Sequence, residues 1–520
     1  MELQSLYPAQ PIPKVLCQAF FQESRVPLLL AFCNRLNRDK APEDSIRNIP
    51  VRRFFMKTEI QTAILTSLEQ MRADNLAAIG RLTDTVSLTA YASLTRQSAH
   101  GTVWTDALQT ALREHQRILI PPAAEPYWID DTVTVPSDRH IEAEGATIRL
   151  TPGCEVLMLR NEHTEDGTHA PISTAERDHN ISIRGGRWEE SNIRRGGYGK
   201  CCRYTHFGED DDRARPFFGV STCLLFNNIT GLTLTDMTFA HTAGFCVQTG
   251  DLTNGVFENI RFEECFADGL HLNGNSENLY IRQISGEVGD DLVALNMYDW
   301  QNSSVNFGPT RNVLCDGLDL APSSPYKALR IEPGIYTYDD GSTTDCGLFN
   351  AIIKNVRGIA TFKMYFQTPA YTIGTAPERG GVGSSDNLFF ENITVDLAGP
   401  IDRFAEYMQS DPIRGTFAAF ELGSHIGYVS FENIDLTLYK DRFPLSCLAC
   451  IGPKSVRSGD REVFDPYLTS HVGTVELKNI RINGEPVCGD NSLIRTIAFE
   501  DINADGNSTG CGTVKEILWS

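Results

Sequence analysis

Two phrases 23 residues apart, ADGLHLN at 267–273 and DDLVALN at 290–296, superimpose position by position. Asp268 falls on Asp291, Leu270 on Val293, His271 on Ala294, Leu272 on Leu295 and Asn273 on Asn296. Short alternating segments repeated with a period in the twenties are the mark of a solenoid, where each repeat buries its apolar face only by stacking on the next. A second phrase carries the period along the chain. It reads FENI at 257–260, 390–393 and 431–434, YIRQI at 280–284, LKNI at 477–480 and FEDI at 499–502, with weaker copies at 232–237, 314–318 and 352–356. A parallel β-helix rung takes about 22 residues, so longer intervals must leave as loops. Asn recurring at one turn position predicts a side-chain ladder.

The fold class expected is therefore mainly β: a right-handed parallel β-helix over residues 101–520, with a helical N-terminal domain or cap over 1–100. In that first part apolar residues recur at spacings of three and four over 14–36 and 56–81, the amphipathic helix pattern. By length alone 520 residues would suggest about three domains, but a solenoid grows by adding rungs rather than cores. The helix at 105–113, the strand that follows it and the turn Ile120-Pro121-Pro122 resemble the entry to pectate-lyase-type β-helices. The insertions at 162–177, 194–216, 298–313, 336–346 and 367–386 gather around the doubled phrase, where long loops would form groove walls. The N-terminal helices or one side of the β-helix would serve as an oligomer contact.

A net charge of −21 argues against a nucleic-acid partner, which needs a basic footprint, and to a lesser degree against a polyanionic substrate. No apolar run reaches the roughly 18 residues of a membrane span. The first residues lack the basic stretch of a signal peptide. Fourteen cysteines follow no disulfide spacing and read as free thiols of a reducing compartment, which together place the protein in the cytoplasm. Cys447-x-x-Cys450 has no second pair and reads as two ordinary thiols rather than a zinc site. Glu209 to Asp212 is a run of four acids, read as a solvated turn or, more sharply, as a calcium site. No other cofactor is implied.

Alternation places the chemistry. Leu270, Leu272, Val293, Leu295, Leu329 and Ile331 point inward, as do Phe245 and Val247 one rung earlier, so the residues between them point outward. One outward column then holds Cys246, His271, Ala294 and Arg330; the next holds Gln248, Asn273, Asn296 and Glu332. Asp268, Asp291 and Lys327 stack at the strand entrance, with Asp290 beside them. Rungs about 4.8 Å apart put this set in one patch roughly 10–15 Å across. Carboxylates so close push one another apart in acidity, which suits an acid and a nucleophile or base at a glycosidic bond. Asp299 and Trp300 follow at a groove edge, where an aromatic ring beside a carboxylate suits a sugar. The catalytic candidates are Asp268, Asp290, Asp291 and Asp299. The substrate-binding candidates are His241, Gln248, His271, Asn273, Trp300, Lys327, Arg330 and Glu332. A structural reading competes for each singly: a rung-turn Asp bonding local backbone, or a plain surface histidine.

At these phrases the chain resembles glycoside hydrolase family 28, the polygalacturonase type, which uses an Asp in an NTD phrase, an adjacent Asp pair, a His in a GHG phrase and an RIK phrase. Asp268 and Asp290-Asp291 match the first two. Arg330-Ile331-Glu332 has Glu where that family has the Lys that faces the substrate carboxylate, and no GHG follows. The longer phrase DDLVALNMYDW, ending in Asp299-Trp300, is similar to glycoside hydrolase family 136, the lacto-N-biosidase type. That resemblance implies a retaining glycosidase acting on an oligosaccharide, of lacto-N-biose type, with Asp291 as acid/base and Asp299 as nucleophile. A polygalacturonase-like activity, a lyase or fructotransferase on the same scaffold, or a non-catalytic carbohydrate-binding β-helix are the alternatives.

Overall fold

The computed structural model describes residues 49–154, 156–164, 167, 176–190, 222–299, 304–324, 328–357, 364–365, 381–396, 418–441, 446–452, 456–458, 461–463, 469–496 and 511–520. The chain divides into a unit at 1–59 and a larger one at 60–520. The expected helix at 14–36 and the acidic run at 209–212 lie outside the described residues.

The larger unit is a parallel β-helix. Twenty-five strands of the described residues join in one sheet, and apart from two antiparallel pairings near its ends the strand pairs run parallel in steps of one rung. Thr222–Thr235 pairs with Phe245–Cys265, that with Ser276–Val288, and so on through Thr310–Leu320, Leu348–Arg357, Ser384–Asp396, His425–Thr437 and Thr469–Ile482. Strand pairing begins earlier than Gly101: Thr85–Ser87 already pairs in parallel with Arg117–Leu119. The helix Thr105–Glu114 turns Ala107, Leu108, Ala111 and Leu112 into the end of the core. One continuous apolar column of Ile, Leu, Val and Phe fills the interior from Leu88 to Ile494.

The turns explain the Asn in the repeated phrase. Asn259, Asn355, Asn392, Asn433 and Asn479 all adopt the left-handed conformation, with φ between +51° and +59°, which Asn tolerates better than most residues. Each side-chain amide donates to the residue one rung below, as from Asn392 to Asn355 at 3.2 Å and from Asn433 to Asn392 at 2.8 Å. A second ladder, which the phrase does not mark, stacks Asn254, Asn278, Asn312, Asn350 and Asn387 at 2.9–3.0 Å, again at positive φ. Two turn positions of the rungs are thus pinned by amide stacks.

The helix Ile49–Gly80 lies, from residue 60 on, along one flank of the solenoid rather than across its end. Ile64, Leu68 and Met71 pack on Val256, Tyr280, Leu314, Ile352 and Phe389, one residue from each of five rungs. Asn75 bonds to the backbone oxygen of Asn254 and Gln61 to Glu391, four rungs further on. Fourteen residues of helix, at about 1.5 Å each, span roughly 21 Å, and four rung steps of about 4.8 Å span nearly the same. The amphipathic pattern was matched to a sheet flank because the two repeats are commensurate over this length. Arg72 pairs with Glu258 at 2.6 Å to fix the register.

Candidate active site

The doubled phrase forms adjacent strands, Leu270–Asn273 on Val293–Asn296, with the register expected: Leu270 on Val293, His271 on Ala294, Asn273 on Asn296. Leu329–Ile331 stacks above with Arg330 on Ala294. The rung below needs a correction. Val247 lies under Leu270 and Gln248 under His271, two residues off the alignment that set Gln248 under Asn273. The rung there has the same 23-residue length as its neighbour, and the slip of two keeps Val247 inward and Gln248 outward, but the alternation breaks just before them: Cys246, expected outward, joins the core, and Phe245, expected inward, stacks on His271 on the site side.

The entrance to these strands carries the acids. Asp268 and Asp291 are buried and Asp290 is half-buried, and each offers an oxygen within 4.8 Å of the other two. Asp291 donates its backbone N–H to Asp268 Oδ1 at 2.9 Å, so the upper turn is tied to the lower by the carboxylate itself. Asp291 Oδ2 lies 3.6 Å from Arg330. This spacing of oxygens has the character of a hard-cation site as well as of an acid–base site.

A hydrogen-bonded line runs from this cluster along the strands. His271 contacts Asp268 through Nδ1 at 2.6 Å and lies 3.4 Å from Asp299 through Nε2. Its ring is stacked on Phe245, 3.8 Å between centroids. Asn273 is oriented without ambiguity: its Oδ1 accepts from Val305 N at 3.1 Å and from Gln248 at 3.0 Å, leaving the amide nitrogen facing His271 Nε2 at 3.2 Å. Gln248 is held in turn by Thr222 at 3.0 Å. Nδ1 thus faces the Asp268 carboxylate, and Nε2 faces both the Asn273 amide and the Asp299 carboxylate.

Asp299, buried at 5 % exposure, accepts from the Asn296 amide at 3.0 Å and shares a hydrogen bond with Glu332. Glu332 is fully buried, and that burial raises its pKa well above the usual carboxyl value; the charge on Asp299 adds to the rise and Arg330 opposes it. Glu332 also pairs with Arg330. Behind Asp299 a set of rings fixes the loop: Tyr298 beside Phe307 at 5.6 Å, and Phe307 stacked on Tyr336 at 3.6 Å, the last supplied by the hairpin Gly334–Thr337 with Thr343–Cys346.

Of the candidates, Gln248, Asp268, His271, Asn273, Asp290, Asp291, Asp299, Arg330 and Glu332 come together. His241 does not join their line; it sits at the turn after Thr238–Ala240, with Nδ1 3.5 Å from Glu264. Lys327 and Trp300 lie outside the described residues. Sequence reasoning missed Asn296 as the donor to Asp299, although its place opposite Asn273 was legible, and Phe245 as the floor of His271. It also missed Glu190, one rung below His241. This carboxyl is buried and accepts from Ala243 N; burial pushes its pKa up to about 7, against that hydrogen bond. Cys447 and Cys450 are both buried on one strand.

Glu190 sets a pH dependence. Its carboxyl is neutral in the folded protein up to about pH 7 and ionises near 4.5 when unfolded, so this contribution is full below pH 4.5 and is lost as pH rises to 7. The loss amounts to about 3 kcal/mol. Urea midpoints between pH 4.5 and 7.5 should fall more steeply in the parent than in Glu190→Gln.

The sequence matches no protein-family model and no curated protein. Solved structures similar in outline include an exopolygalacturonase from Thermotoga maritima, 10% identical over 80% of this chain and 97% of that one, with a TM-score of 0.43. The catalytic unit of a thermostable alpha-1,3-glucanase from Streptomyces thermodiastaticus is 12% identical over 84% of this chain and 69% of that one, with a TM-score of 0.37. A surface adhesin of Streptococcus pneumoniae is 11% identical over 84% and 97%, with a TM-score of 0.34. Likeness at this level assigns no activity, and these three differ in what they do.

Proposed function

We propose that the chain is a glycoside hydrolase that cleaves an oligosaccharide at the face built by residues 245–250, 268–273, 290–299 and 328–332. The observation that carries the reading is the pair of unlike carboxylate environments on one face. Asp291 stands within 4.8 Å of two further acids and 3.6 Å from Arg330. Asp299 accepts from Asn296 and shares a hydrogen bond with Glu332, whose pKa burial raises. Two carboxyl groups held in such different surroundings on one face suit an acid and a nucleophile.

In this reading Asp291 protonates the leaving glycosidic oxygen while Asp299 attacks the anomeric carbon. Asp291 then takes a proton from the water that hydrolyses the glycosyl ester on Asp299, and the anomer is retained. Arg330 and His271 keep the two carboxylates in place, and Asp268 and Asp290 supply the crowding charge. The absence of a Lys at Glu332 supports a neutral rather than a uronic oligosaccharide, of which the lacto-N-biose type is the first to try. Proton NMR of the product as it forms tests the mechanism: the retained anomer should appear first. An inverted product would remove Asp299 as nucleophile. An unsaturated product absorbing in the ultraviolet, dependent on added calcium, would replace hydrolysis with a lyase reaction.

A further inference from the structure

Phe266 is 41% exposed, and among the described residues the other exposed large apolar side chains are Leu76, Leu94 and Tyr439. Single exposed apolar residues are ordinary; the setting of this one is not. It stands two positions before Asp268, in the turn that delivers the acidic cluster. The neighbouring Ala267 turns inward and packs on Phe245, the ring that floors His271, so the turn is anchored through its next residue and Phe266 is left to face out.

The rungs on either side leave the ring uncovered. Below it, Phe266 N donates to Thr242 O at 3.1 Å, which sets Ala243 in the matching position. Above it lies Gly289, so close that a Cβ there would fall 2.0 Å from the Phe266 carbonyl oxygen. An aromatic ring flanked by an alanine and a glycine presents an open apolar face. The residue after Gly289 is Asp290, the half-buried member of the acidic cluster.

We propose that Phe266 is a stacking platform for a sugar ring of the oligosaccharide, forming a subsite at the edge of the acidic cluster. The inference rests on the glycosidase reading for the choice of ligand. Rings of this kind take the apolar face of an amphipathic partner, and a pyranose offers such a face, whereas a charged or fully polar small molecule does not. Phe266 touches no reacting atom in this scheme; it is a binding residue whose effect lies in affinity.

The test separates binding from turnover. Asp291→Asn, alone and combined with Phe266→Ala, Phe266→Leu or Phe266→Trp, is titrated calorimetrically with a panel of neutral oligosaccharides of two to six units. The platform predicts about tenfold weaker binding for Phe266→Ala, a comparable loss for Phe266→Leu, and binding restored by Phe266→Trp, with thermal midpoints unchanged. In the Asp291-intact protein, Phe266→Ala should raise KM about tenfold and leave kcat nearly unaltered. Equal affinity in the Ala and parent proteins, or a Leu variant that binds like the parent, overturns the platform. Failure of every sugar on the panel to bind overturns it as well. Binding that depends on Phe266 in a protein that cleaves none of the panel upholds the platform and removes the hydrolase.

Discussion

Asn in place of Asp291 or of Asp299 should lower kcat about 10³-fold or more on any oligosaccharide the protein cleaves, and neither change should unfold it. The stability half of this expectation distinguishes a chemical role from a structural one. Asp291 shares its space with Asp268, Asp290 and Arg330, and the isosteric amide fills the same space without the acid's proton. Its thermal midpoint should stay close to the parent's, since lost crowding among the acids and the lost Arg330 contact act in opposite directions. Asp299→Asn keeps an oxygen for the Asn296 amide and so retains the loop. Were these carboxylates merely rung-turn residues, both variants would lose stability and any activity would survive. Full turnover in both removes the pair from the reaction.

The second large effect falls on Gly289. Alanine there sets a Cβ 2.0 Å from the Phe266 carbonyl oxygen, and the obstacle is backbone, which cannot rotate aside. The upper rung must lift where it delivers Asp290 and Asp291. Overpacking of this kind costs about 3 kcal/mol or more, and the displaced acids should take activity down with them. Gly80 provides the control, since a Cβ there meets nothing within 4 Å; Gly80→Ala should leave midpoint and turnover unchanged. Circular dichroism melts with parallel turnover assays read both, and a Gly289→Ala protein with the parent's midpoint would show that the rung spacing at this turn is looser than described.

The rungs were legible because a 23-residue repeat with period-two alternation leaves few alternatives. The register of 268–273 on 290–296 followed from phrases that share Asp, Leu and Asn at matched positions. The rung at 245–250 did not, because Phe245-Cys246-Val247-Gln248 shares no polar landmark with its neighbour, and an apolar-x-apolar pattern fits two registers equally well. The Asn of the FENI phrase announced one ladder. The ladder of Asn254 to Asn387 stayed hidden because its flanking residues vary from rung to rung. The helix pattern near residue 60 was plain, but periodicity reveals an apolar stripe and not the surface it will meet. At the site, alternation predicted which side chains share a face. It did not predict that Glu332 would be sealed from water and bonded to Asp299, because burial there depends on loops and rings contributed from 298–338. Nor could it separate His241 from the cluster, since the turn that carries it away differs from a strand by only a few residues.

The central claim is that this polar face breaks glycosidic bonds. Reducing-end release from a panel of neutral and acidic oligosaccharides, by the parent protein and by Asp291→Asn at matched high concentration, tests it most directly. Release from one or more neutral members by the parent, and none above background by the variant, is the expected result. No release by the parent, or equal release by both, would contradict it.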